Sequence, residues 1–249
     1  GSDIDSITSL AVHQGSDYVI TGVKDYILNA SAAAFFSVFA ATNPQKKRAS
    51  LRAFIIPAST PGLRIGRTRN KVGIKYANTS EVLLEAAQVP ETNMVGGDRA
   101  GTGYLLLAQT FDRGRALVSA TAVGIARAAY EMALEFSRNH RQFGKPIFDH
   151  QAVSFTLAEM ATKIELARLI TWKACWLIDQ DQDYTTASSM AKLYSSAVDQ
   201  EVSQCAADIL AGPGYLAGSY ADMHLRDARV LSTIEGTNNI QKAIIASLL

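Results

Sequence analysis

The stretch Pro90-Glu91-Thr92-Asn93-Met94-Val95-Gly96-Gly97 divides this sequence into two parts with different patterns. Before it, short runs rich in β-branched and aromatic residues are separated by Gly, Pro, Asn and Asp, which is typical of an antiparallel sheet or small barrel. After it, apolar residues recur every three or four positions, as in long amphipathic helices. The sequence therefore predicts an α+β protein, with an antiparallel β-barrel-like domain over residues 1–98 and an up-down helical bundle over residues 99–249.

Individual elements can be placed within these two parts. Strands are predicted at residues 18–20, 35–41, 53–57, 63–65 and 82–89. Helices are predicted at residues 104–140, 150–178, 185–211 and 221–228, with a last one after Thr237. A stripe of small residues on the first helix predicts that another helix approaches closely there; it consists of Ala116, Ala120, Gly124 and Ala128. The second helix is apolar over most of its girth, which predicts a central position in the bundle.

Composition removes several classes of function. The formal net charge is +1, and no basic block or aromatic-basic stripe indicates nucleic-acid binding. No uninterrupted apolar run is long enough to span a bilayer, so no membrane span is predicted. Cys175 and Cys205 lie in helical patterns without metal-ligand spacing. We therefore expect buried, reduced thiols and no metal site.

A single carboxylate stands out in the stretch Thr233-Ile234-Glu235-Gly236-Thr237-Asn238-Asn239-Ile240-Gln241. Glu235 follows an apolar lead-in and precedes a glycine, so it sits at a corner and is a candidate catalytic base. The same residues also fit a helix capping box, with Ser232 as the cap and Glu235 reaching back to it. Local sequence leaves both interpretations open.

Eight motifs, in this order along almost the whole chain, resemble the acyl-CoA dehydrogenase family. They are Gly1-Ser2-Asp3, Tyr18-Val19-Ile20-Thr21-Gly22-Val23-Lys24, Thr60-Pro61-Gly62-Leu63, Val89-Pro90-Glu91-Thr92-Asn93, Phe111-Asp112-Arg113-Gly114-Arg115, Gln142-Phe143-Gly144-Lys145-Pro146-Ile147 with His150-Gln151, Arg226-Asp227-Ala228 and Ile234-Glu235-Gly236-Thr237. The resemblance implies that a full member carries an N-terminal helical domain and the first part of the β domain ahead of residue 1.

The resemblance implies FAD-dependent α,β-dehydrogenation of an acyl-CoA thioester. Glu235 would remove the α-proton, and a hydride would pass from Cβ to flavin N5. Some members place the base on the first bundle helix, at the position of Gly114, so the glycine there favours the short- and medium-chain type. The resemblance also implies an electron-transfer flavoprotein as acceptor, a homodimer or homotetramer, and a bacterial cytoplasmic or mitochondrial matrix location.

Further site residues follow from the resemblance alone. The implied substrate contacts are Ser2, Asp112, Arg115 and Gly236. The implied flavin contacts are Tyr26, Gln142, Phe143, Ile147, His150, Gly212, Thr237 and Asn239. Structural alternatives stand beside them: Asp112 and Arg115 as a solvated pair on a helix face, Phe143 and Ile147 as core residues, His150 as a helix cap and Gly212 as a C-cap.

Four implied flavin positions depart from the family pattern. His140 stands where an arginine usually pairs with the flavin pyrophosphate, Tyr26 where a tryptophan is usual, Leu28 where a threonine usually bonds flavin N5, and Asp208 where a glutamine is usual. His140, Leu28 and Asp208 motivate an alternative function: a degenerate acyl-CoA-binding relative that has lost flavin or activity. A third interpretation keeps the flavin and uses oxygen as acceptor, as in the related acyl-CoA oxidases.

Overall fold

A computed structural model describes residues 2–249, so Gly1 of the Gly1-Ser2-Asp3 motif lies outside the described residues. The chain divides into two compact units. Unit 1 comprises residues 1–71 and 75–110, and unit 2 comprises residues 72–74 and 111–249. The domain boundary at residues 98/99 stays a prediction of the sequence.

Unit 1 is built on one seven-stranded sheet with the order β5-β6-β2-β1-β3-β4-β7. Its strands are β1 (Leu10–Gln14), β2 (Asp17–Leu28), β3 (Phe35–Ala41), β4 (Leu51–Pro57), β5 (Leu63–Thr68), β6 (Thr79–Pro90) and β7 (Met94–Val95). Neighbouring strands are antiparallel except β1 and β3, which are parallel at the single pair Leu10–Ala41. The five predicted strands are confirmed, and β1 and the two-residue β7 are additional strands that the sequence did not predict.

The core of unit 1 follows from alternation along these strands. In β3, Phe36, Val38 and Ala40 are buried, while Phe35, the first residue of the strand, is exposed. In β6, Val82 and Leu84 are buried. One face of the sheet therefore carries the hydrophobic core, as period-two patterning requires.

Unit 2 holds the helical bundle. Its helices are α1 (Thr102–Asn139), which begins in unit 1, α2 (Gln151–Asp179), α3 (Thr185–Leu210), α4 (Tyr220–Leu231) and α5 (Asn238–Ser247). A two-stranded hairpin, β8 (Arg141–Gln142) and β9 (Lys145–Pro146), connects α1 to α2. The predicted helices agree with these bounds to within two residues at each predicted end, except that α4 extends three residues beyond its predicted end.

The central helix is α3 and not α2. α3 packs against α2, α4 and α5. The second apolar face of α2 is exposed in this chain; it carries Phe155, Leu166, Leu169, Trp172 and Trp176. The prediction that α2 is central is therefore wrong, because apolar girth alone does not tell a buried face from a face that is left exposed within one chain.

The close approach predicted on α1 occurs on a different stripe. Ala120 and Gly124 are exposed, whereas Ala122, Ala126, Ala129 and Ala133 are fully buried. The buried residues recur at alternating steps of three and four, which follows the helical period better than a fixed step of four. Of the predicted stripe, Ala116 is buried, whereas Ala120 and Gly124 are not, so the stripe is wrong as a continuous buried seam.

α1 is long and apolar enough, by length and composition, to cross a bilayer. It is the one helix of the described residues that meets this test. Its alanines Ala126, Ala129 and Ala133 belong to the core of unit 2 together with Leu157 and Met160 of α2. Packing of these alanines accounts for one apolar face of α1.

α3 carries a buried polar face beside its apolar seam. Ser188, Lys192, Ser195, Asp199 and Ser203 are all essentially unexposed. The Ser203 hydroxyl lies 3.4 Å from Asp199 Oδ1, and Asp199 Oδ2 has no hydrogen-bond partner among the described residues. Burial raises the pKa of Asp199 to about 8. This carboxyl is therefore protonated in the folded protein at pH values where it is ionised in the unfolded chain.

Asp199 should make stability fall as pH rises from about 4 to about 8. In this window the folded state keeps a proton that the unfolded state, with a pKa of about 3.9, has lost. We expect the thermal midpoint of the wild type to fall relative to that of Asp199→Asn between about pH 5 and about pH 8.5. Asp208→Asn, an exposed position on the same helix, is the control: because it keeps Asp199, its thermal midpoint should follow that of the wild type across this pH range. A difference between Asp199→Asn and wild type that stays constant with pH would contradict this account.

Candidate functional site

Glu235 lies in the tight connection between α4 and α5. The Asn238 amide donates to the Ser232 carbonyl at 3.1 Å and closes this connection. Thr237 is the N-cap of α5, and its hydroxyl oxygen accepts from the Ile240 amide at 3.3 Å. The Ser232 hydroxyl donates to the Arg229 carbonyl instead. The capping-box interpretation of Ser232 and Glu235 is therefore wrong, because α5 begins only after Thr237.

The backbone at Glu235 is held in an unfavourable conformation. Glu235 has φ +53° and Gly236 has φ +86°, and the left-handed region costs a non-glycine residue about 1–2 kcal/mol. The buried Gln241 side-chain amide donates to the carbonyls of Glu235 at 3.2 Å and Gly236 at 3.0 Å. A Cβ on Gly236 would lie 2.8 Å from that amide nitrogen. The turn thus needs glycine at 236 and is fixed by an amide from α5.

The Glu235 carboxylate packs against the bare backbone of α1. A Cβ built on Gly114 would lie 2.8 Å from Glu235 Oε2. Burial raises the pKa of Glu235, while the nearby cations Arg115 and Lys192 act in the opposite direction. A half-buried carboxylate with a raised pKa beside two cations is a candidate general base.

Asp112 and Arg115 form a buried ion pair on α1. Asp112 is 8% exposed and Arg115 is 6% exposed, and the Arg115 guanidinium donates to the Asp112 carboxylate. Thr185 Oγ1 also donates to Asp112 Oδ2 at 2.9 Å, and Arg115 Nη1 lies 3.4 Å from Ser189 Oγ. The alternative of a solvated pair on a helix face is therefore wrong. The pair lies beside Glu235, since Arg115 is one of the charges acting on it.

Lys192 and Gln241 belong to this site, and the sequence reading missed both. Lys192 Nζ donates to the Gly236 carbonyl at 2.7 Å and to Asn238 Oδ1 at 3.0 Å. One sequence signal could have indicated Lys192, since it shares a face of α3 with short polar residues. Ser188 lies four positions before it, Ser195 three after it and Asp199 seven after it. A charge on such a face indicates a buried cation with a specific partner.

The β8–β9 hairpin gathers three of the implied flavin contacts. Phe143 has φ +53° and is 93% exposed, and its ring meets the edge of His150 at a centroid distance of 5.9 Å. His150 Nε2 lies 3.3 Å from the Gln142 carbonyl. The alternative of Phe143 as a core residue is wrong, whereas Ile147 is half-buried. His150 occupies the N-cap position of α2 without a capping side-chain bond, so capping does not explain its side chain.

His140 stacks on Phe136 at the end of α1, with ring centroids 4.8 Å apart, and its Nε2 lies 3.4 Å from Gln142 Nε2. Asp208 is exposed and accepts from Gln204 at 2.9 Å. Asn239 is exposed on the first turn of α5.

The C-cap interpretation of Gly212 is wrong. α3 ends at Leu210, and its C-cap is Ala211, which has φ +53°. Gly212 instead begins a short 3-10 turn whose proline, Pro213, cannot continue α3. The strain at this helix end therefore lies on an alanine, and Gly212 is free of a capping role.

In unit 1, Tyr26 projects from β2. It has φ +58° and is 72% exposed. The Arg69 guanidinium lies 5.5 Å from its ring centroid and pairs with Asp25 and Glu81 at 2.7 Å. Leu28, two residues on, is partly exposed. Ser2 is exposed next to Asp3, which caps the short turn at Ile4–Ser6.

The Arg226-Asp227-Ala228 motif has a structural task in unit 2. Arg226 Nη1 donates to the Val72 carbonyl at 2.8 Å, and the Ile74 amide donates to Asp227 Oδ1 at 2.6 Å. A Cβ on Gly73 would lie 2.1 Å from the Arg226 carbonyl oxygen. The motif therefore anchors residues 72–74 against α4. Among residues 2–249, no group of three or more His, Cys, Asp or Glu side chains could hold a metal ion.

Comparison with known proteins identifies the family. Residues 101–249 match the family model of the acyl-CoA dehydrogenase C-terminal domain, and residues 1–87 match the model of the acyl-CoA dehydrogenase middle domain. The chain belongs to the acyl-CoA dehydrogenase family. The predicted family membership and fold class are thereby confirmed.

Individual members of the acyl-CoA dehydrogenase family match the whole chain. The mitochondrial short-chain specific acyl-CoA dehydrogenase of Rattus norvegicus is 36% identical over 249 residues, which are 100% of this chain and 60% of that protein. The solved butyryl-CoA dehydrogenase of Megasphaera elsdenii matches with a TM-score of 0.97 and 34% identity, over 100% of this chain and 64% of that one.

A chain in the structure described as the electron transferring flavoprotein of Acidaminococcus fermentans matches equally well. Its TM-score is 0.97 at 35% identity, over 100% of this chain and 65% of that chain. The present chain thus spans less than two thirds of the length of each of these three matched proteins.

Proposed function

We propose that this chain carries the catalytic base of an FAD-dependent acyl-CoA dehydrogenase, which oxidises the Cα–Cβ bond of an acyl-CoA thioester. The observation that carries the proposal is the Glu235 carboxylate: it is half-buried, lies against Gly114 and faces Arg115 and Lys192. The names of two relatives, short-chain specific acyl-CoA dehydrogenase and butyryl-CoA dehydrogenase, favour a short acyl chain as substrate.

Glu235 acts as the proton acceptor in this proposal. The thioester carbonyl acidifies the α-hydrogen, and the ionised carboxylate of Glu235 takes it up. Burial raises the pKa of Glu235, which brings its basicity closer to that task, while Arg115 and Lys192 oppose this shift by favouring the ionised form. Gly114 leaves the space in which the carboxylate lies. Asp112 and Arg115 bind the CoA part of the substrate, and Ser2 and Gly236 contribute further substrate contacts.

The residues implied to hold FAD fit a flavin, which offers a flat ring system and polar edges. In unit 2, the exposed ring of Phe143 lies beside Gln142 and His150. Tyr26 of unit 1, whose ring is also exposed, is a further proposed flavin contact. An aromatic side chain that is 93% exposed loses the benefit of burial, which a stacking partner would restore. When bound, FAD supplies the acceptor for the hydride that leaves Cβ. Ile147, Gly212, Thr237 and Asn239 complete the proposed flavin contacts.

The proposed partners follow the family. The electron acceptor is an electron-transfer flavoprotein, in keeping with one of the matched structures. The protein acts as a homodimer or homotetramer, in the cytoplasm of a bacterium or the mitochondrial matrix of a eukaryote.

The absorbance spectrum of the purified protein tests this proposal. We expect a flavin band that is bleached when butyryl-CoA is added without oxygen. A protein that binds butyryl-CoA but holds no flavin, even after incubation with FAD, would contradict the proposal and support the degenerate acyl-CoA-binding alternative motivated by His140, Leu28 and Asp208. If the band is bleached, oxygen consumption during turnover would identify an oxidase, and reduction of an electron-transfer flavoprotein a dehydrogenase.

A further inference from the structure

A buried lysine supports the turn that carries Glu235. The Lys192 residue on α3 is 0% exposed. Among residues 2–249, no carboxylate lies within ion-pair distance of its ammonium group, which is a costly arrangement for a buried cation. Its hydrogen bonds go instead to neutral oxygens, the Gly236 carbonyl at 2.7 Å and Asn238 Oδ1 at 3.0 Å. The retained charge therefore needs an explanation other than pairing.

The two bonds of Lys192 fix both sides of the turn. The Gly236 carbonyl belongs to the residue directly after Glu235 and also accepts from Gln241 Nε2 at 3.0 Å. Asn238 is the first residue of α5, and its side-chain oxygen also accepts from Ser196 Oγ at 3.0 Å. Lys192 thus joins the strained turn to α3, while Gln241 joins it to α5. A left-handed glutamate persists only where surrounding contacts hold it.

Lys192 also acts on the charge of the site. Glu235 faces Arg115 from α1 and Lys192 from α3, and Arg115 is itself paired with Asp112. Burial, assisted by the repulsion of Arg115, lowers the pKa of Lys192 to about 8. Up to that pH the ammonium stabilises ionised Glu235.

We propose that Lys192 is a positioning residue for the reaction: it holds the Glu235-Gly236 turn in its productive conformation. This inference rests on the proposed function of Glu235 as the base. It goes beyond the implied contacts of the family, because Lys192 acts through the turn and not on the substrate.

The test replaces Lys192 by Met, which keeps the length and removes the charge and the donors. In the FAD-loaded protein, we expect the rate constant of flavin reduction by butyryl-CoA to fall by about 10- to 100-fold, the size of effect that a misplaced group produces. In the pH profile of this rate constant, the fall at low pH (the acid limb) should move to higher pH. Loss of a cation raises the pKa of Glu235 and leaves the carboxyl protonated over a wider pH range. The affinities of Lys192→Met for FAD and for butyryl-CoA should equal those of the wild type.

Three further variants complete the design. Lys192→Arg keeps a cation and donors and should recover part of the rate and the original acid limb. Asn238→Ala removes one acceptor of Lys192 and leaves its charge, so it should lower the rate without moving the limb. Lys173→Met, at an exposed lysine on α2, should change neither. If Lys192→Met does not fold, Lys192→Arg and Asn238→Ala carry the test.

Failure of this inference differs from failure of the proposed function. If Glu235→Gln abolishes flavin reduction while Lys192→Met retains the wild-type rate and acid limb, the role of Lys192 is overturned and the base stands. A Lys192→Arg variant without any recovery, or an Asn238→Ala variant at the full wild-type rate, would also overturn it. If Glu235→Gln itself reduces flavin normally, the proposed function fails first.

Discussion

Glu235→Gln is expected to lower the rate constant of flavin reduction by butyryl-CoA by about 10²- to 10⁴-fold, the range that a positioned proton acceptor contributes. An amide has the shape of the carboxylate but cannot accept the α-proton. Gln retains the left-handed turn, since that conformation is fixed by Lys192 and Gln241 through backbone carbonyls. Rapid mixing of the oxidised protein with butyryl-CoA under anaerobic conditions, followed by flavin absorbance, measures the effect.

The variant must keep its flavin for this result to bear on the base. Its flavin spectrum and its affinity for butyryl-CoA should match those of the wild type. Glu131→Gln removes an exposed carboxylate from α1, where Glu131 pairs with Arg127, and should leave the rate unchanged. Wild-type rates of reduction in Glu235→Gln would exclude Glu235 as the base.

Gly114→Ala should lower the rate of flavin reduction without lowering the free energy of unfolding. Alanine is favoured over glycine inside a helix by about 1 kcal/mol. At this position, however, the new Cβ would lie 2.8 Å from Glu235 Oε2 and would displace the carboxylate. We expect the rate of flavin reduction to fall by about 10- to 100-fold, because small displacements of a reacting group have effects of that size. Kinetics and the free energy of unfolding are measured on the same preparation.

Gly124→Ala is the matched control, since it makes the same change on the same helix. A Cβ there meets nothing within 4 Å, and the residue is exposed. We expect it to raise the free energy of unfolding by up to about 1 kcal/mol at wild-type activity. Should Gly114→Ala behave like Gly124→Ala in both measurements, the carboxylate would not depend on the space at Gly114.

The sequence predicted the elements well where periodicity and punctuation agree. β3 was predicted at its observed bounds, because alternating buried residues are flanked by turn residues. α3 was predicted to within one residue at its end, since Pro213 prevents its continuation. Which helix is central could not be predicted, because both faces of α2 are apolar and only the packing of the whole chain determines which is covered.

The sequence predicted Glu235 as a site residue but not Lys192, because the contacts of Lys192 are set by the fold and not by its neighbours in sequence. Glu235 was found from its corner and its family context, but Ser232 and Thr237 are equally good caps by residue type, and only the start of α5 distinguishes them. Lys192 was missed because a lysine normally indicates a solvated face. Its role depends on carbonyls that reach it from a turn 44 residues away. Contacts of that range are set by the fold and leave only a weak local signal.

Proton exchange at the substrate α-carbon is the most direct test of Glu235 as the base. The FAD-loaded protein is incubated with butyryl-CoA in D₂O without oxygen, and the recovered butyryl-CoA is analysed by mass spectrometry. We predict deuterium at Cα with the wild-type protein and with Glu131→Gln, and none above background with Glu235→Gln. Deuterium incorporation by Glu235→Gln at the wild-type rate would contradict the account.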